Sequence, residues 1–212
     1  MRIVRSLILA AGALAFAGTA SAQDIWHNFQ VKAGVSSIQA DESADISVIG
    51  GDVDISDEVV PTLQIEYFFT DSISAELLCC VATHDVQAVN TALGTVDLGQ
   101  VSHFPPTVTV KYHWNDLGAF KPYVGVGANY TRFYDKELPA GGPVTAISYD
   151  DSLGGAVQAG FDYKLDDHWS LNVDVRKVWI SSDVTIYAGT TRIDAAVDVN
   201  PLILTVGTGY RF

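Results

Sequence analysis

Basic residues are scarce and unevenly spread: the 212 residues hold 12 Lys or Arg against 25 Asp or Glu, and residues 33–110 contain neither Lys nor Arg. A chain this acidic lacks the positive surface that nucleic acid requires, so nucleic acid is excluded as a partner. Cysteine is almost absent too. The only two, Cys79 and Cys80, are adjacent, so in a strand their side chains leave on opposite faces and cannot easily bridge. That excludes a disulfide-stapled fold. Long apolar runs are also missing: residues 7–16 form the longest, too short to cross a bilayer as a helix. If the chain enters a membrane it does so as strands. Finally, none of His27, His84, His103, His113 and His168 falls in a nucleophile motif, which argues against an enzyme and leaves no catalytic residue to name.

Residues 1–22 have the layout of a cleaved export signal: Arg2 and Arg5, an apolar centre, and the small residues Ala20-Ser21-Ala22 before Gln23. The expected mature protein is residues 23–212. Its ten basic residues face twenty-five acidic ones, a net charge of −15. Seven of the acids, Asp41, Glu42, Asp45, Asp52, Asp54, Asp57 and Glu58, crowd one segment that reads as a solvated loop. It lacks the ligand spacing and glycine of a calcium loop, so no metal is expected there.

What the sequence has in abundance is alternation. Residues 29–36, 62–69, 74–81, 107–114, 123–131, 157–163, 169–176 and 201–212 carry apolar residues at every second position, with only Thr208 interrupting, opposed by a face that is largely polar or glycine. Three of the links, at 70–72, 115–118 and 165–168, are tight, and the four between them are long. Strict short and long alternation is the pattern of an all-β, eight-stranded antiparallel transmembrane barrel with short periplasmic turns and long extracellular loops. The aromatics agree. Tyr67, Phe69, Trp114, Phe120, Phe161, Tyr163, Trp169, Tyr210 and Phe212 fall beside the tight turns or the terminus, as a periplasmic girdle would, and Tyr130, Phe133, Tyr134, Trp179 and Tyr187 mark the other rim. A lipocalin-like soluble barrel would turn the same aromatics inward and expose Glu66 and Lys111. A β-sandwich would leave the terminal strand as an open edge.

The inward positions divide by height. Lys32, Lys111, His113, Arg176 and Arg211 face Glu66, Glu76, Asp162 and Asp174, balanced charges that read as a plug network near the periplasmic end. Toward the loops, Leu78, Thr107, Thr109, Asn129, Val178 and Ile203 form a less charged lining suited to a small hydrophobic molecule. An eight-stranded barrel is too narrow for a general pore, so a solute stopped by the plug would have to leave sideways. Pro61, Pro105, Pro106 and Pro201, each without a ladder donor, are the candidates for a lateral seam.

The stretches QDIWHNFQVKAGVS, FPPTVTVKYHW, FKPYVGVGANYTRFYD, HWSLNVDVRKVW and the closing GTGYRF resemble the OmpW family of small outer-membrane barrels. The resemblance implies a Gram-negative outer-membrane location and a narrow channel that passes small hydrophobic molecules and releases them laterally into the membrane. The adjacent cysteines and the acidic first loop look like departures from that family. No cofactor is expected. The expected partners are outer-membrane lipid and lipopolysaccharide, small hydrophobic solutes, and the barrel-assembly machinery, which would read the signal carried by Tyr210 and Phe212. The alternative function is a non-transporting structural or adhesive barrel with a filled lumen.

Overall fold

The computed structural model describes residues 26–212, so the signal segment and its cleavage site lie outside the described residues. The chain forms β1 (Phe29–Gln39), β2 (Glu42–Ile46), β3 (Asp52–Ile55), β4 (Glu58–Phe68), β5 (Ile73–Cys79), β6 (Ala82–Thr91), β7 (Gly94–Phe104) and β8 (Thr107–His113). It continues as β9 (Phe120–Glu137), β10 (Ala146–Tyr149), β11 (Ser152–Lys164), β12 (Trp169–Val178), β13 (Ile180–Ala188), β14 (Thr191–Val199) and β15 (Leu202–Arg211).

Eight of these close into an antiparallel barrel, in the order β1, β4, β5, β8, β9, β11, β12, β15 and back to β1. The closing register runs from Gln30 opposite Arg211 to Gln39 opposite Leu202, so the last strand has no free edge. Parity explains the wall. On β8, Thr107, Thr109, Lys111 and His113 point inward and are buried, while Val108, Val110 and Tyr112 are exposed on the outside. This is the reverse of a lipocalin and what a lipid-facing surface requires.

The tight turns carry local reasons for turning. Thr70 Oγ1 accepts from the Ile73 amide at 3.0 Å, and Asp166 Oδ1 accepts from the His168 and Trp169 amides at 2.8 and 2.7 Å. Those two backbone donors hold the Asp166 carboxyl below its ordinary range. Around this end the aromatics touch one another: Phe29 and Tyr67 centroids are 4.9 Å apart, Phe120 and Phe161 4.9 Å, Trp169 and Tyr210 5.1 Å, and Tyr210 and Phe212 5.1 Å. Trp26, Phe29 and Tyr112 join the belt that the sequence outlined.

The long loops are where the structure departs from expectation. They are not solvated coil. Strands β10, β13, β14 and β2 form a second sheet, and β7, β6 and β3 continue the wall outward from β9. Together they enclose an apolar cluster that includes Ile46, Val53, Val86, Leu98, Val184, Ile186 and Ile193. The acidic first loop is folded into this cap: Asp52 Oδ1 accepts from the Ala44 amide at 2.6 Å and Glu42 Oε1 from the Ile55 amide at 3.2 Å. Asp45, Asp52 and Asp54 alternate with Ala44, Ile46, Val53 and Ile55, which face the cluster.

The outward apolar face makes a direct prediction. Val126 stands 64 % exposed midway between the Phe120 and Tyr130 levels of β9. Val126→Arg should destabilise the barrel by about 2–4 kcal/mol. Urea unfolding in phospholipid vesicles, followed by tryptophan fluorescence, measures the loss.

Candidate functional site

The inward side chains of the lower barrel form one layer of paired charge. Lys32 Nζ, on β1, lies 2.8 Å from Glu66 Oε2, 3.3 Å from Glu76 Oε2 and 3.3 Å from Asp162 Oδ2. Lys111 Nζ, from β8, reaches Glu66 at 3.1 Å and Glu76 at 2.8 Å. Arg176 Nη2, from β12 across the lumen, donates to Glu76 Oε1 at 2.7 Å, and its Nε lies 3.6 Å from Asp174. His113 Nε2 sits 2.9 Å from Glu66 Oε1. Lys32, Glu66, Glu76, Lys111 and Arg176 are each at most 2 % exposed. Charges so buried persist only when every one is answered, and here Glu76 alone meets cations from three strands.

Uncharged residues complete the layer, and sequence reasoning missed them. Tyr123 Oη donates to Asp174 Oδ2 at 2.9 Å and accepts from Asn172 Nδ2 at 3.0 Å, while Asn172 also donates to Asp162 at 2.9 Å. Lys111 Nζ stands 3.6 Å from the Tyr123 ring centroid, a cation–π contact. Gln158 donates to Glu76 at 3.3 Å. All three had inward parity, which was the available signal; lacking charge, they did not stand out. Glycine makes the room. A Cβ at Gly160 would come within 2.7 Å of Tyr123 Oη and would clash with the Val173 carbonyl, and one at Gly125 would crowd Lys111 and Gln158 at 3.0 and 2.9 Å.

Two expected members fall elsewhere. Arg211 stays at the periplasmic mouth: its guanidinium stacks 4.1 Å over Phe68 and Nε donates to the His27 carbonyl at 3.4 Å. The end of the final strand lies below the ion layer, so its side chain meets mouth residues instead of carboxylates. Thr109, placed by sequence in the upper lining, donates to Gln158 Oε1 at 3.2 Å and belongs to the polar layer.

Above the charges the lumen changes character within two residues. Leu78 follows Glu76 on β5 and Val178 follows Arg176 on β12, the next inward positions along each strand. With Cys80, Thr107, Asn129 and Ile203 they line a small, tightly filled cavity. This opens toward a larger chamber under the cap, about 870 Å³ of space between atoms with its solvent-facing part included, bounded mostly by aliphatic side chains. Ile38, His103, Ile180 and Pro201 border both. Phe133, expected at the outer rim, points into the chamber, 5.4 Å from Tyr149 and 6.1 Å from His103. Phe104, with Tyr130 and Trp179, takes the rim position instead.

The prolines do not share one seam. Pro105 and Pro201 are buried and border the cavity; the Pro105 carbonyl accepts from Asn129 at 3.2 Å and the Pro201 carbonyl from the Val178 amide at 3.2 Å. Pro106 joins β7 to β8, and Pro61 lies within β4 opposite Val35, facing outward. Pro61 does sit at an interruption of the wall. Pairing of β4 with β5 stops at Leu63 opposite Cys79, and residues 58–62 are paired with β1 on one side only. Inside this gap stand Val60, Cys80 and Ala82; outside it, Val59 and Val81 are exposed. Cys79 and Cys80 are both free thiols, the first partly exposed and the second buried, as their opposite parities require.

The ion layer predicts its own energetics. Glu76→Gln leaves Lys111 and Arg176 facing a neutral amide and should cost about 3–5 kcal/mol of stability, part of which Arg176→Met in the same chain restores. Urea unfolding in vesicles measures both, and a loss below about 1 kcal/mol would contradict the pairing energetics. A second prediction concerns pH. Burial, with His84 beside it, pushes His103 down to about 3, well below the ordinary value of about 6.5. Below pH 6.5 the unfolded segment binds a proton that the folded one refuses, so this residue's contribution is full above pH 6.5 and is lost as pH falls toward 3. Protection of the β6 and β7 amides, taken relative to the intrinsic exchange rate at each pH, should fall across that window, and less so in His103→Leu.

Comparison with known proteins agrees with this geometry. The family model described as the OmpW family matches residues 27–212. Outer membrane protein W of Vibrio cholerae is 34 % identical over 192 residues, covering 87 % of this chain and 88 % of that protein. The uncharacterized outer-membrane protein y4mB of Sinorhizobium fredii is 36 % identical over 180 residues, covering 84 % and 77 %. Among solved structures, the outer membrane protein OprG from Pseudomonas aeruginosa superimposes with a TM-score of 0.80 at 28 % identity, covering 87 % of this chain and 95 % of that one. Closed eight-stranded wall, apolar outer face and matched sequence together place the chain in the outer membrane, as a member of the OmpW family.

Proposed function

We propose that this barrel is a channel through which small hydrophobic molecules enter from outside, collect in the chamber beneath the cap, and leave sideways into the membrane. The observation that carries the reading is the abrupt change of polarity between Glu76 and Leu78, and between Arg176 and Val178. An apolar solute descending the chamber meets a floor of paired charges whose separation would cost several kcal/mol, so the axial route is closed. The unpaired stretch of β4 at residues 58–62, walled inside by Val60, Cys80 and Ala82, offers an apolar way out at the same height. A relative supports the solute class: PahQ of Pseudomonas aeruginosa, named a dibenzothiophene metabolism operon protein, is 26 % identical over 185 residues.

In the same reading, Tyr210 and Phe212 on the closing strand present the signal taken by the barrel-assembly machinery, and lipopolysaccharide surrounds the acidic cap. The expected outcome is protein-dependent entry of naphthalene, and no entry of glucose, into vesicles whose outer leaflet is lipopolysaccharide. Ala82→Trp, which fills the inner side of the gap, should slow naphthalene entry severalfold while the barrel keeps its heat-modifiable gel mobility. Unchanged entry in Ala82→Trp would move the exit elsewhere. Entry of neither compound through a folded barrel would instead favour a structural or adhesive role.

A further inference from the structure

The chamber is not uniformly aliphatic. Along one side four rings from four neighbouring wall and cap strands form a ladder: His84 on β6, His103 on β7, Phe133 on β9 and Tyr149 on β10. His84 and His103 stack with centroids 5.0 Å apart and planes 16° from parallel. His103 and Phe133 are 6.1 Å apart and tilted by 46°, and Phe133 and Tyr149 stack at 5.4 Å and 27°. All four border the same space, and Ile46, Val53 and Ile186 bound it too. The space therefore has an aromatic side as well as aliphatic surface, which a planar aromatic molecule can contact by edge or face.

The two imidazoles add a polar element to this apolar room. His84 Nδ1 lies 2.6 Å from the Ser56 carbonyl oxygen, which can only accept, so Nδ1 carries the proton and a neutral ring presents Nε2 as an acceptor. His103 is buried to 9 % exposure and borders both the chamber and the cavity beneath it. Among the described residues neither of its ring nitrogens, nor His84 Nε2, has a hydrogen-bond partner. Both rings border space that a ligand can occupy, where a donor could supply the missing bond. Burial also holds His103 neutral, with its pKa pushed down to about 3. One of its nitrogens therefore accepts a hydrogen bond at neutral pH.

We propose that the ladder of His84, His103, Phe133 and Tyr149 is a selectivity site for planar aromatic molecules carrying one hydrogen-bond donor, such as phenols or indoles, in preference to saturated molecules of the same size. This rests on the channel reading above and names the solute class the chamber favours. The ligand's ring packs by edge or face against these rings, and its O–H or N–H donates to an imidazole nitrogen. A saturated ring loses the stacking, and an aromatic hydrocarbon loses the hydrogen bond.

Equilibrium binding to the protein in lipid nanodiscs, corrected with empty discs, tests this with 2-naphthol, decahydro-2-naphthol and naphthalene. Wild type should bind 2-naphthol about tenfold tighter than its saturated counterpart. His103→Leu, which removes both the ring and the acceptor, should weaken 2-naphthol about fivefold and decahydro-2-naphthol less, by the hydrogen bond alone, while His103→Phe should retain naphthalene and lose only the hydroxyl's share. Equal binding of the aromatic and saturated alcohols, or a loss of all probes alike in His103→Leu, would overturn the proposal. Should the variants fail to fold, the wild-type comparison of probes still decides. Naphthalene entry into vesicles without aromatic preference in the discs would remove this inference and leave the channel standing. Tight 2-naphthol binding without entry would do the reverse.

Discussion

The carboxylate of Glu76 is the constraint around which the lower barrel is built. It receives Lys111, Lys32 and Arg176 from three different strands, and Gln158 from a fourth, inside a wall that gives no access to water. Removing an ion from water costs several kcal/mol, and that cost is offset only if the partners arrive together and in the right geometry. The barrel must therefore close in one register for the layer to form. Neighbouring features follow from it: glycine at 125 and 160 where a Cβ would displace Lys111 or Tyr123, and Tyr123 itself bridging Asp174 to Asn172.

What lies above the layer depends on it in turn. With the charges gathered into one paired stratum, in which only Arg176 Nε and Nη1 lack a hydrogen-bond partner among the described residues, the next inward positions, Leu78 and Val178, are free to be apolar. The chamber continues that apolarity upward into the cap, where alternating acids and aliphatics let the loops turn one face to solvent and the other to the cluster around Ile46 and Val53. The scarcity of basic residues fits this division. Of the chain's six lysines, Lys32 and Lys111 are buried in the layer, along with Arg176, while the cap's exterior is left predominantly acidic.

The barrel was legible in the sequence because lipid imposes alternation on every strand and the tight turns have their own chemistry at Thr70 and Asp166. The charged members of the ion layer were legible as well, since a Lys or Glu on the inward face of a strand is buried at a cost that only an opposite charge across the lumen offsets. Its neutral members were not. Tyr123, Gln158 and Asn172 look like ordinary strand residues until their partners across the lumen are known. The cap was hidden for a different reason: in the segment 41–58 a hydrogen-bonding acid and a solvated acid look the same, and only the tertiary partners of Asp52 and Glu42 separate them. Arg211 and Phe133 were misplaced by a matter of height and facing, which parity alone does not fix near strand ends.

The most direct test of the central claim is the exchange of lysine ammonium protons with water, read by nitrogen-detected magnetic resonance of the protein in lipid nanodiscs. With Lys32 and Lys111 each paired to Glu66 and Glu76, two ammonium signals should exchange far more slowly than those of solvent-facing lysines such as Lys136, and each should vanish on its own Lys→Arg substitution. Exchange of every ammonium at the solvent-facing rate would mean a hydrated lumen, and would contradict a closed layer of paired charge.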